Sequence, residues 1–424
     1  MRWSLFVCLF FLFGSGAQTI IRASEDSLQK SPVIMRDKPW CQYNAGLFFD
    51  LNTTINSTRL PASIPNAFVF KKPISPEQKE SALKNLKSKN NTGAIIQGTI
   101  AYHWAPPLAW RSKVSQIGIS YSFEQYLSTQ YSSKLFGLVF QGNAPYAGQT
   151  IQIENENIQS IQFQTLKLHY LKNFKSTRLS VALGLALGNN LQQINLDYAQ
   201  LYTEPDGSFI DMQLKGNMFS SNTQQRPLQH ASAGPVFDLA YHYTLQKVQF
   251  DFQAENIGFI RWNSQAKTYS PDTSIHFTGI QVQDIFHFST GETLADSTLE
   301  NITGKPSQKG AIKALPARLK ARLFWQYQAG AGLEFSVSQL FFPGFKLQQR
   351  IAWHYELIKT AHNSMAIQLG LSHGGFGKLN SFVSLVPLHT RHHSVRIGTL
   401  LNEGWLIPKR LPGNGFVFSY HWTP

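Results

Sequence analysis

Apolar residues alternate with polar or small residues along much of the chain. In RLSVALGLALG (178–188), leucine or valine occupies every second position, and serine, alanine or glycine lies between them. Successive side chains of a β-strand point to opposite faces, so the pattern predicts strands with one apolar face. Residues 237–255 carry two such arms around Gln246 and predict a hairpin. About fourteen similar segments lie between Tyr43 and Trp422, many near the roughly ten residues of a tilted transmembrane strand.

Helical periodicity is rare. The clear helix candidate is SPEQKESALKNLKSK (75–89), which starts with a Ser-Pro cap signal, and a weaker candidate is 291–304. Both lie between predicted strands and are interpreted as inserts. No sequence repeat of about 20–50 residues is visible, which argues against a propeller or a solenoid.

Period-two alternation fits two folds, a soluble β-sandwich with its apolar face inside and a membrane barrel with its apolar face outside. Charged residues make up only 15% of the chain, and the polar strand positions are rich in Gln, Ser, His, Gly and Ala. A water-exposed sheet face normally carries more Lys and Glu. Aromatic residues gather near the predicted strand ends, as at the lipid–water interfaces of membrane barrels. These interface candidates are Trp104, Trp262, Trp353, Tyr355, Trp405, Tyr420 and Trp422.

The last residues, GFVFSYHWTP, place aromatic rings at every second position, namely Phe416, Phe418, Tyr420 and Trp422. A closed barrel must pair its last strand with its first, because an open edge in lipid leaves backbone groups unsatisfied. The segment is therefore predicted to be the closing strand, with its rings toward lipid, and the strand presented to the barrel insertion machinery. The final Thr-Pro departs from the usual terminal aromatic residue. These features favour an all-β transmembrane antiparallel barrel of about fourteen strands.

The N-terminus has the layout of a secretory signal peptide. A single Arg, a short apolar run and Ser-Gly-Ala predict a signal peptide over 1–17, cleaved between Ala17 and Gln18. The apolar run is too short to cross a bilayer as a helix, although an N-terminal membrane anchor is the alternative. The expected location is the bacterial outer membrane. Segment 18–42 is a candidate plug, followed by the barrel over 43–424.

Two inserts interrupt the predicted barrel, over 61–93 and 284–315. After removal of the signal peptide, Cys41 is the only cysteine, so no internal disulfide is expected. The formal net charge is +14. An exported barrel meets no nucleic acid. The basic residues therefore indicate contacts with lipid phosphates, contacts with anionic solutes in the lumen, or solvated loops without a specific partner.

Candidate catalytic and metal sites are weak. Ser372 and His373 are adjacent, and adjacent strand residues face opposite sides of the sheet, so they cannot form a nucleophile–base pair. The histidines at 389, 392 and 393 indicate a loop or rim cluster rather than a structural metal site. The sequence therefore predicts no catalytic residue, no cofactor and no metal ion, and a protein that is not an enzyme.

Four segments carry a resemblance to a known family: Ala254–Ser270, Phe277–Asp284, Leu315–Tyr327 and Gly142–Thr150. They resemble an uncharacterised family of Bacteroidota outer-membrane β-barrels. That family is similar to the long-chain fatty-acid transporter (FadL-like) barrels and to the PorV-like shuttle barrels of type IX secretion. The resemblance implies about fourteen strands and an outer-membrane location, and it implies no catalytic residues.

Two functions remain open at the level of sequence. The first is a passive channel or transporter for hydrophobic or amphipathic small molecules, whose lumen is open or plugged. The alternative is an accessory barrel that binds a protein partner, such as a secretion component, through its long inserts. An outer-membrane enzyme is the third and least favoured hypothesis. An apolar, ligand-lined lumen would favour the first function, and a filled lumen with large loops would favour the second.

Overall fold

The computed structural model describes residues 45–69, 71–105, 116–221, 232–278, 304–360, 363–390, 392–400, 402–408 and 411–424. The predicted signal peptide with Ala17 and Gln18, and the candidate plug over 18–42, lie outside these ranges. So does the weaker helix candidate, apart from its last residue.

Within the described residues, fourteen antiparallel strands form a closed ring. They are β1 (Gly46–Ser57), β2 (Asn90–Trp104), β3 (Gln116–Tyr131), β4 (Thr150–Asn173), β5 (Thr177–Thr203), β7 (Ala233–Leu245), β8 (Val248–Arg261), β13 (Arg318–Gln328), β14 (Ala331–Leu340), β15 (Lys346–Lys359), β16 (Ser364–Gly375), β17 (Leu379–His389), β18 (His393–Leu400) and β19 (Asn414–Trp422). The ring closes where β19 pairs with β1, with Trp422 opposite Leu47 and Asn414 opposite Ile55. The predicted all-β barrel of about fourteen strands is confirmed.

Five further strands extend the sheet beyond the ring: β6 (Ile210–Ser220), β9 (Lys267–Tyr269), β10 (Asp272–Phe277), β11 (Ser307–Gln308) and β12 (Ile312–Ala314). They form because β5 is 27 residues long. Its first part, Thr177–Leu187, pairs with β7 in the barrel wall, and its second part, Gln192–Thr203, pairs with β6. The sheet thus projects past the barrel on one side.

The two ends of the barrel differ. The end that carries Gly46 and Trp422, here called the terminal end, has mostly short turns, such as Gln246–Lys247 between β7 and β8. Gln246 has φ +48°, as the hairpin predicted at this residue requires. The opposite, far end carries the long inserts and the five extra strands. Outer-membrane barrels show the same division, with short turns on the periplasmic side and long loops outside.

Among the described residues, helices lie only at the far end. They are α1 (Ser63–Val69), α2 (Pro76–Asn85), α3 (Ser133–Gln141) and α4 (Asn402–Leu406), with a short 3-10 helix η1 (Ala144–Tyr146). The predicted helix at 75–89 is confirmed as α2, which Ser75 caps while Gln78 completes a capping box. No helix in the described ranges is long and apolar enough to cross a membrane.

The apolar face of the strands points away from the barrel axis. On β5, Leu183 and Leu185 are exposed on the outer face, whereas Ala182 and Ala186 are buried on the inner face. On β1, the exposed Phe49 lies outside and the buried Phe48 inside. This distribution is the reverse of a soluble sandwich and is the one found in membrane barrels.

Candidate functional site

A hydrogen-bonded group of polar side chains occupies the middle of the barrel, and we call it the polar layer. Lys167 of β4 donates to Asp238 of β7 at 2.6 Å and to the Asn256 side chain of β8 at 2.8 Å. Asn256 in turn donates to both carboxylate oxygens of Glu124 on β3, at 2.9 and 3.0 Å. These contacts join non-adjacent strands and therefore cross the lumen.

The polar layer also reaches β2 and β13. Arg318 at the start of β13 donates from Nη1 to Gln97 Oε1 of β2 at 3.0 Å. The Gln97 amide donates to Glu124 at 3.0 Å and to the hydroxyl of Tyr126 at 2.9 Å. Strands β2 and β13 stand six positions apart in a ring of fourteen, so the Arg318–Gln97 contact spans nearly the full width.

Local backbone features place these side chains. Asn256 lies at a bulge in β8 and has φ +57°, a left-handed conformation that Asn tolerates better than most residues. Its own N–H donates to Asp238 Oδ1 at 2.7 Å. Opposite Lys167 on β5 stands Gly184, where an added Cβ would lie 2.8 Å from Lys167 Cγ. The small inner residues of β5 thus give Lys167 room to meet Asp238.

A second network, here called the wall network, runs along the inner wall from β7 to β18. Arg322 binds Asp251 through Nε at 2.8 Å and also through Nη2, and its Nη1 lies 3.5 Å from Glu334 Oε2. Asp251 Oδ1 lies 2.6 Å from His242 Nδ1. The buried chain continues through His354, Gln368 and Arg396, with contacts of 3.1 to 3.3 Å. Arg322 lies four residues closer to the terminal end than Arg318, so the two networks occupy different levels.

Buried charges of this kind persist only when they are paired, because an isolated charge in a low-dielectric interior costs several kcal/mol. The pairing of Arg322 with two carboxylates and of Lys167 with Asp238 meets this condition. Seven of the eight charged residues that are buried in the described ranges belong to these two networks, namely Glu124, Lys167, Asp238, Asp251, Arg322, Glu334 and Arg396.

On the far-end side of the polar layer, the interior becomes apolar. A buried cluster gathers residues from the strands and from inserted turns: Ile95, Tyr126, Ile161, Phe163, Ala186, Leu191, Phe219, Val236, Ile260, Trp262, Ala266, Leu315, Leu340, Phe342 and Phe376. Two turns fold over the mouth at this end, since Asn91 of β2 donates to the carbonyls of Gly344 at 2.7 Å and Phe376 at 3.2 Å. We call this part the apolar cap.

A cavity of about 450 Å³ lies beside the apolar cap. It is lined by Gln159, Ile161, Leu191, Gln193, Ile257, Gly258, Lys313, Ala314, Leu315, Pro316, Ala317, Phe341 and Phe342. Ile257 and Gly258 directly follow Asn256 in β8, so the cavity borders the polar layer. Its walls are mostly apolar, and Lys313, Gln159 and Gln193 supply polar groups. Such a mixture is typical of sites for small amphipathic molecules.

Near the terminal end, a third inner cluster contains histidines. His169 Nε2 lies 2.6 Å from Ser120 Oγ, and its ring centroid is 5.3 Å from that of His103. His421 stacks on Phe48 at 4.3 Å. Across the described ranges, no group of three or more His, Cys, Asp or Glu residues is placed to hold a metal ion.

The predicted interface aromatics fall into three groups. Trp104, Trp353, Tyr355, Tyr420 and Trp422 lie near the terminal end, with Trp353 59% exposed. The far-end α4 carries the exposed Trp405, whose indole donates to the Gly415 carbonyl at 3.0 Å. The prediction is wrong for Trp262, which is 1% exposed and lies in the apolar cap, because it shares the inner face with Ile260, whereas Phe259, which lies between inner residues of β8, is exposed outside.

The residues of the predicted closing strand lie on β19. Phe418 stands opposite Leu51 of β1 and Ile397 of β18, so its ring shares the outer face with them. Phe416, Tyr420 and Trp422 lie two or four residues from Phe418 and therefore share its face. His421 points to the inner face, where it stacks on Phe48. Contact of these rings with lipid and with an insertion machinery remains a prediction.

The weak chemical candidates do not form a site. Ser372 is buried on the inner face of β16, and the neighbouring His373 is exposed on the outer face. In the turn after β17, His392 Nδ1 lies 2.9 Å from the Thr423 carbonyl oxygen. At the start of β18, His393 Nδ1 lies 2.9 Å from the Tyr420 hydroxyl. These histidines therefore contact the end of β19.

Sequence reasoning missed the residues of both networks. The available signal was a charged residue at an inner position of an otherwise apolar or small strand pattern, as at Lys167, Asp238, Asp251 and Glu334. Each such charge must find a partner once the barrel closes. The partners themselves come from distant strands, so the pairs could not be read from sequence spacing.

A family model matches residues 45–377, and its description is "Family of unknown function (DUF5723)". The match covers most of the chain. The chain belongs to this family. Residues 45–377 contain the polar layer, the apolar cap and the whole cavity lining, so the candidate site lies within the DUF5723 region. None of the curated proteins matches the chain.

Several solved structures are similar to the chain at low sequence identity and low TM-score. A Pseudomonas aeruginosa FadL homologue is 10% identical with a TM-score of 0.39, over 90% of both chains. The Ralstonia pickettii toluene transporter TbuX is 6% identical with a TM-score of 0.39, again over 90% of both chains. The β domain of the Bordetella autotransporter Brka is 9% identical with a TM-score of 0.32, over 90% of this chain and 100% of the other. The barrel of this DUF5723 member is established by its own strand pairing.

Proposed function

We propose that this DUF5723 member is a bacterial outer-membrane barrel. Each wall strand from β13 to β16 carries large exposed apolar side chains on its outer face, for example Leu323, Phe335 and Ile351. A soluble protein would bury such residues, whereas a bilayer solvates them. A Bacteroidota source and a likeness to PorV-like barrels remain predictions.

The location is tested by heat-modifiable gel mobility of the detergent-extracted outer-membrane fraction. Closed barrels resist unfolding in cold detergent, so the unboiled protein is expected to migrate faster than the boiled protein. A soluble periplasmic protein without a mobility shift would contradict the proposal.

We propose further that the barrel takes up a hydrophobic or amphipathic small molecule at the cavity. The single observation that carries this function is the 450 Å³ cavity, whose apolar walls include Ile161, Leu191 and Leu315 and whose rim includes Lys313. An elongated apolar body would contact the walls, and a polar end would face Lys313 or the glutamines.

The cavity borders the polar layer at Ile257 and Gly258, which follow Asn256, and we infer that this layer separates the cavity from the terminal end. Passage would therefore require the contacts between Lys167, Asp238, Asn256 and Glu124 to open. The function we propose is gated binding and transfer, and it differs from an open diffusion pore. No step of this function needs a cofactor or a catalytic residue.

The cavity is tested with the purified barrel in detergent and a neutral hydrophobic dye such as Nile red. Ala314 is exposed and lines the cavity, so Ala314→Trp should fill the space without removing a core side chain. We expect dye affinity to fall about tenfold or more, as the loss of an apolar pocket predicts. Ala329→Trp, in the exposed turn after β13, is the matched control. Equal loss in both variants, or in neither, would exclude the cavity as the site.

A second candidate function is an accessory barrel that binds a protein partner. The five strands outside the ring favour it, because β10 is hydrogen-bonded to β6 and projects beyond the wall. A photo-crosslinking residue at the exposed Ser274 of β10 should yield a discrete adduct in intact cells, and one at Lys175 in a terminal-end turn should not. The same adducts at both positions would argue against a specific partner at β10.

A further inference from the structure

A group of helices covers the outside of the barrel wall at the far end. It consists of residues 58–69 and 71–89, which contain α1 and α2, together with α3, and we call it the helical collar. Its buried core contains Leu60, Ile64, Ala82, Leu86 and Phe136. Tyr131, the last residue of β3, packs against this core with its ring centroid 6.4 Å from that of Phe136.

The collar lies on the lipid-facing side of the wall. Every second side chain of a strand points to the same face. Tyr131 therefore shares a face of β3 with Leu127 and Tyr121, which are exposed on the outer surface. The inner face of β3 instead carries the buried Glu124 and Tyr126. The helices therefore sit outside the barrel and not over its mouth.

The height of the collar is fixed by the same strand. Leu127 ends the exposed apolar row of β3, and Tyr131 lies four residues farther on, about 13 Å at roughly 3.3 Å per residue. On β2, the apolar row ends at the exposed Ile96, six residues after Asn90, which bonds the Lys87 carbonyl next to α2. The collar thus begins where the apolar belt ends, at the level of lipid headgroups in a membrane barrel.

The collar is strongly basic. Residues 58–89 contain Arg59 and six lysines against Glu77 and Glu80, an excess of five positive charges. Lys84 pairs with Glu80 at 2.7 Å. Lys71, Lys87 and Lys89 are also exposed.

Exposed apolar side chains stand beside these lysines. Phe68 at the end of α1 is 63% exposed, and Val139 of α3 is 66% exposed. The two helices touch, since the rings of Phe68 and Phe140 are 6.0 Å apart. Lysines next to exposed apolar residues on short helices are typical of segments that lie in a membrane interface.

We propose that the helical collar binds phosphate-bearing lipid headgroups of the leaflet at the far end of the barrel. Lys71, Lys87 and Lys89 contact the phosphates, and Phe68 and Val139 enter the adjoining acyl region. A small soluble anion would use the lysines but would leave the two apolar side chains in water. This inference rests on the proposed outer-membrane location, and it adds the class of lipid and the residues that recognise it.

The test uses the purified full chain in detergent and fluorescently labelled lipids. Phosphatidylglycerol is the anionic probe, and phosphatidylcholine, which is zwitterionic, is the comparison. The wild type should bind phosphatidylglycerol more tightly, and the preference should shrink from 0.1 M to 1 M salt, because the screening length falls from about 10 Å to about 3 Å.

The decisive variant is Lys87→Glu/Lys89→Glu. We expect its affinity for phosphatidylglycerol to fall about tenfold or more, since each lysine near an anionic surface contributes a factor of about five. The matched control is Lys175→Glu/Lys247→Glu, which makes the same charge change in exposed turns at the terminal end and should bind like the wild type. Phe68→Ser should weaken binding of both lipids, as the loss of an apolar contact requires.

Three outcomes would overturn the proposal: no preference of the wild type for phosphatidylglycerol, equal effects of the two double variants, or displacement of the lipid by inorganic phosphate at equal concentration. Heat-modifiable mobility is measured on every variant. An intact mobility shift with unchanged lipid binding would reject the collar alone. Loss of the shift in the wild type would reject the outer-membrane barrel itself.

Discussion

At the scale of single residues, the interior of this barrel depends on charges that are paired. Arg322 is buried and forms ion pairs with Asp251 and Glu334 from two neighbouring strands. Arg322→Ala leaves both carboxylates without their cation, so we expect a loss of about 3–5 kcal/mol in the free energy of unfolding. The measurement is the urea midpoint of the heat-modifiable band in detergent.

The exposed pair Lys84–Glu80 provides the comparison for Arg322. Its side chains are both more than half exposed, and its N–O distance is 2.7 Å. Lys84→Ala should therefore change the same free energy by less than about 1 kcal/mol. Similar losses in Lys84→Ala and Arg322→Ala would mean that water in the lumen screens the wall network.

Asn256 combines an unusual backbone conformation with a bridging side chain. Its φ is +57°, and its amide joins Lys167 to Glu124. Asn256→Gly and Asn256→Ala both remove the amide, but only Ala must bear the left-handed conformation, at a cost of about 1–2 kcal/mol. The Gly variant should therefore unfold at a higher urea concentration than the Ala variant. The reverse order would show that the bulge relaxes when the side chain is lost.

At the scale of elements, β5 has one face that meets the apolar belt and another that lines the lumen. Its outer leucines face the belt, and its inner Gly184 leaves space for Lys167. A Cβ at Gly184 would lie 2.1 Å from the Leu166 carbonyl oxygen, so Gly184→Ala should destabilise the barrel by about 1–3 kcal/mol. At Gly98, on the outer face of β2, the nearest atom to an added Cβ is Leu51 Cδ1 at 3.9 Å. Gly98→Ala is the matched control and should leave the urea midpoint nearly unchanged.

The elements were largely predictable because they depend on local pattern. The alternation in 178–188 and 237–255 indicated β5, β7 and β8, and the cap signal at Ser75 indicated α2. Alternation with a period of two residues indicates that a strand has two unlike faces. The low charge and the many aromatic residues indicated that the apolar face is the one toward lipid. These signals are carried by neighbouring residues, so a single sequence contains them.

The candidate site was not predictable in the same way. The partners Arg318 and Gln97 are 221 residues apart, and they meet only because the ring closes with a particular register. The five strands outside the ring depend on insert packing, which has no period. Asn256 shows the limit most clearly, because nothing in its sequence neighbourhood marks a bulge within an alternating strand.

At the scale of the whole molecule, the ring depends on β19, which pairs with both β1 and β18. Deletion of residues 414–424 would leave two unpaired strand edges in lipid, where each unsatisfied backbone group costs several kcal/mol. We expect this truncation to abolish heat-modifiable mobility and outer-membrane accumulation. Deletion of only Thr423 and Pro424, which follow the strand, should preserve both. A truncated chain that still shows the mobility shift would mean that other strands can close the ring.

The side chains that fill the lumen should keep its ionic conductance low. The polar layer spans the lumen through Arg318–Gln97 and Asn256–Glu124, and the apolar cap covers the far mouth at Phe342. We expect these side chains to block the flow of ions, so the wild type in a planar bilayer should show no steady ionic current. Glu124→Ala/Arg318→Ala removes one partner from each crossing contact, and it should produce transient openings because Asn256 and Gln97 then lose the partners that hold them across the lumen. Steady current through the wild type would contradict a closed lumen and would favour an open pore. A silent double variant would locate the barrier in the apolar cap instead.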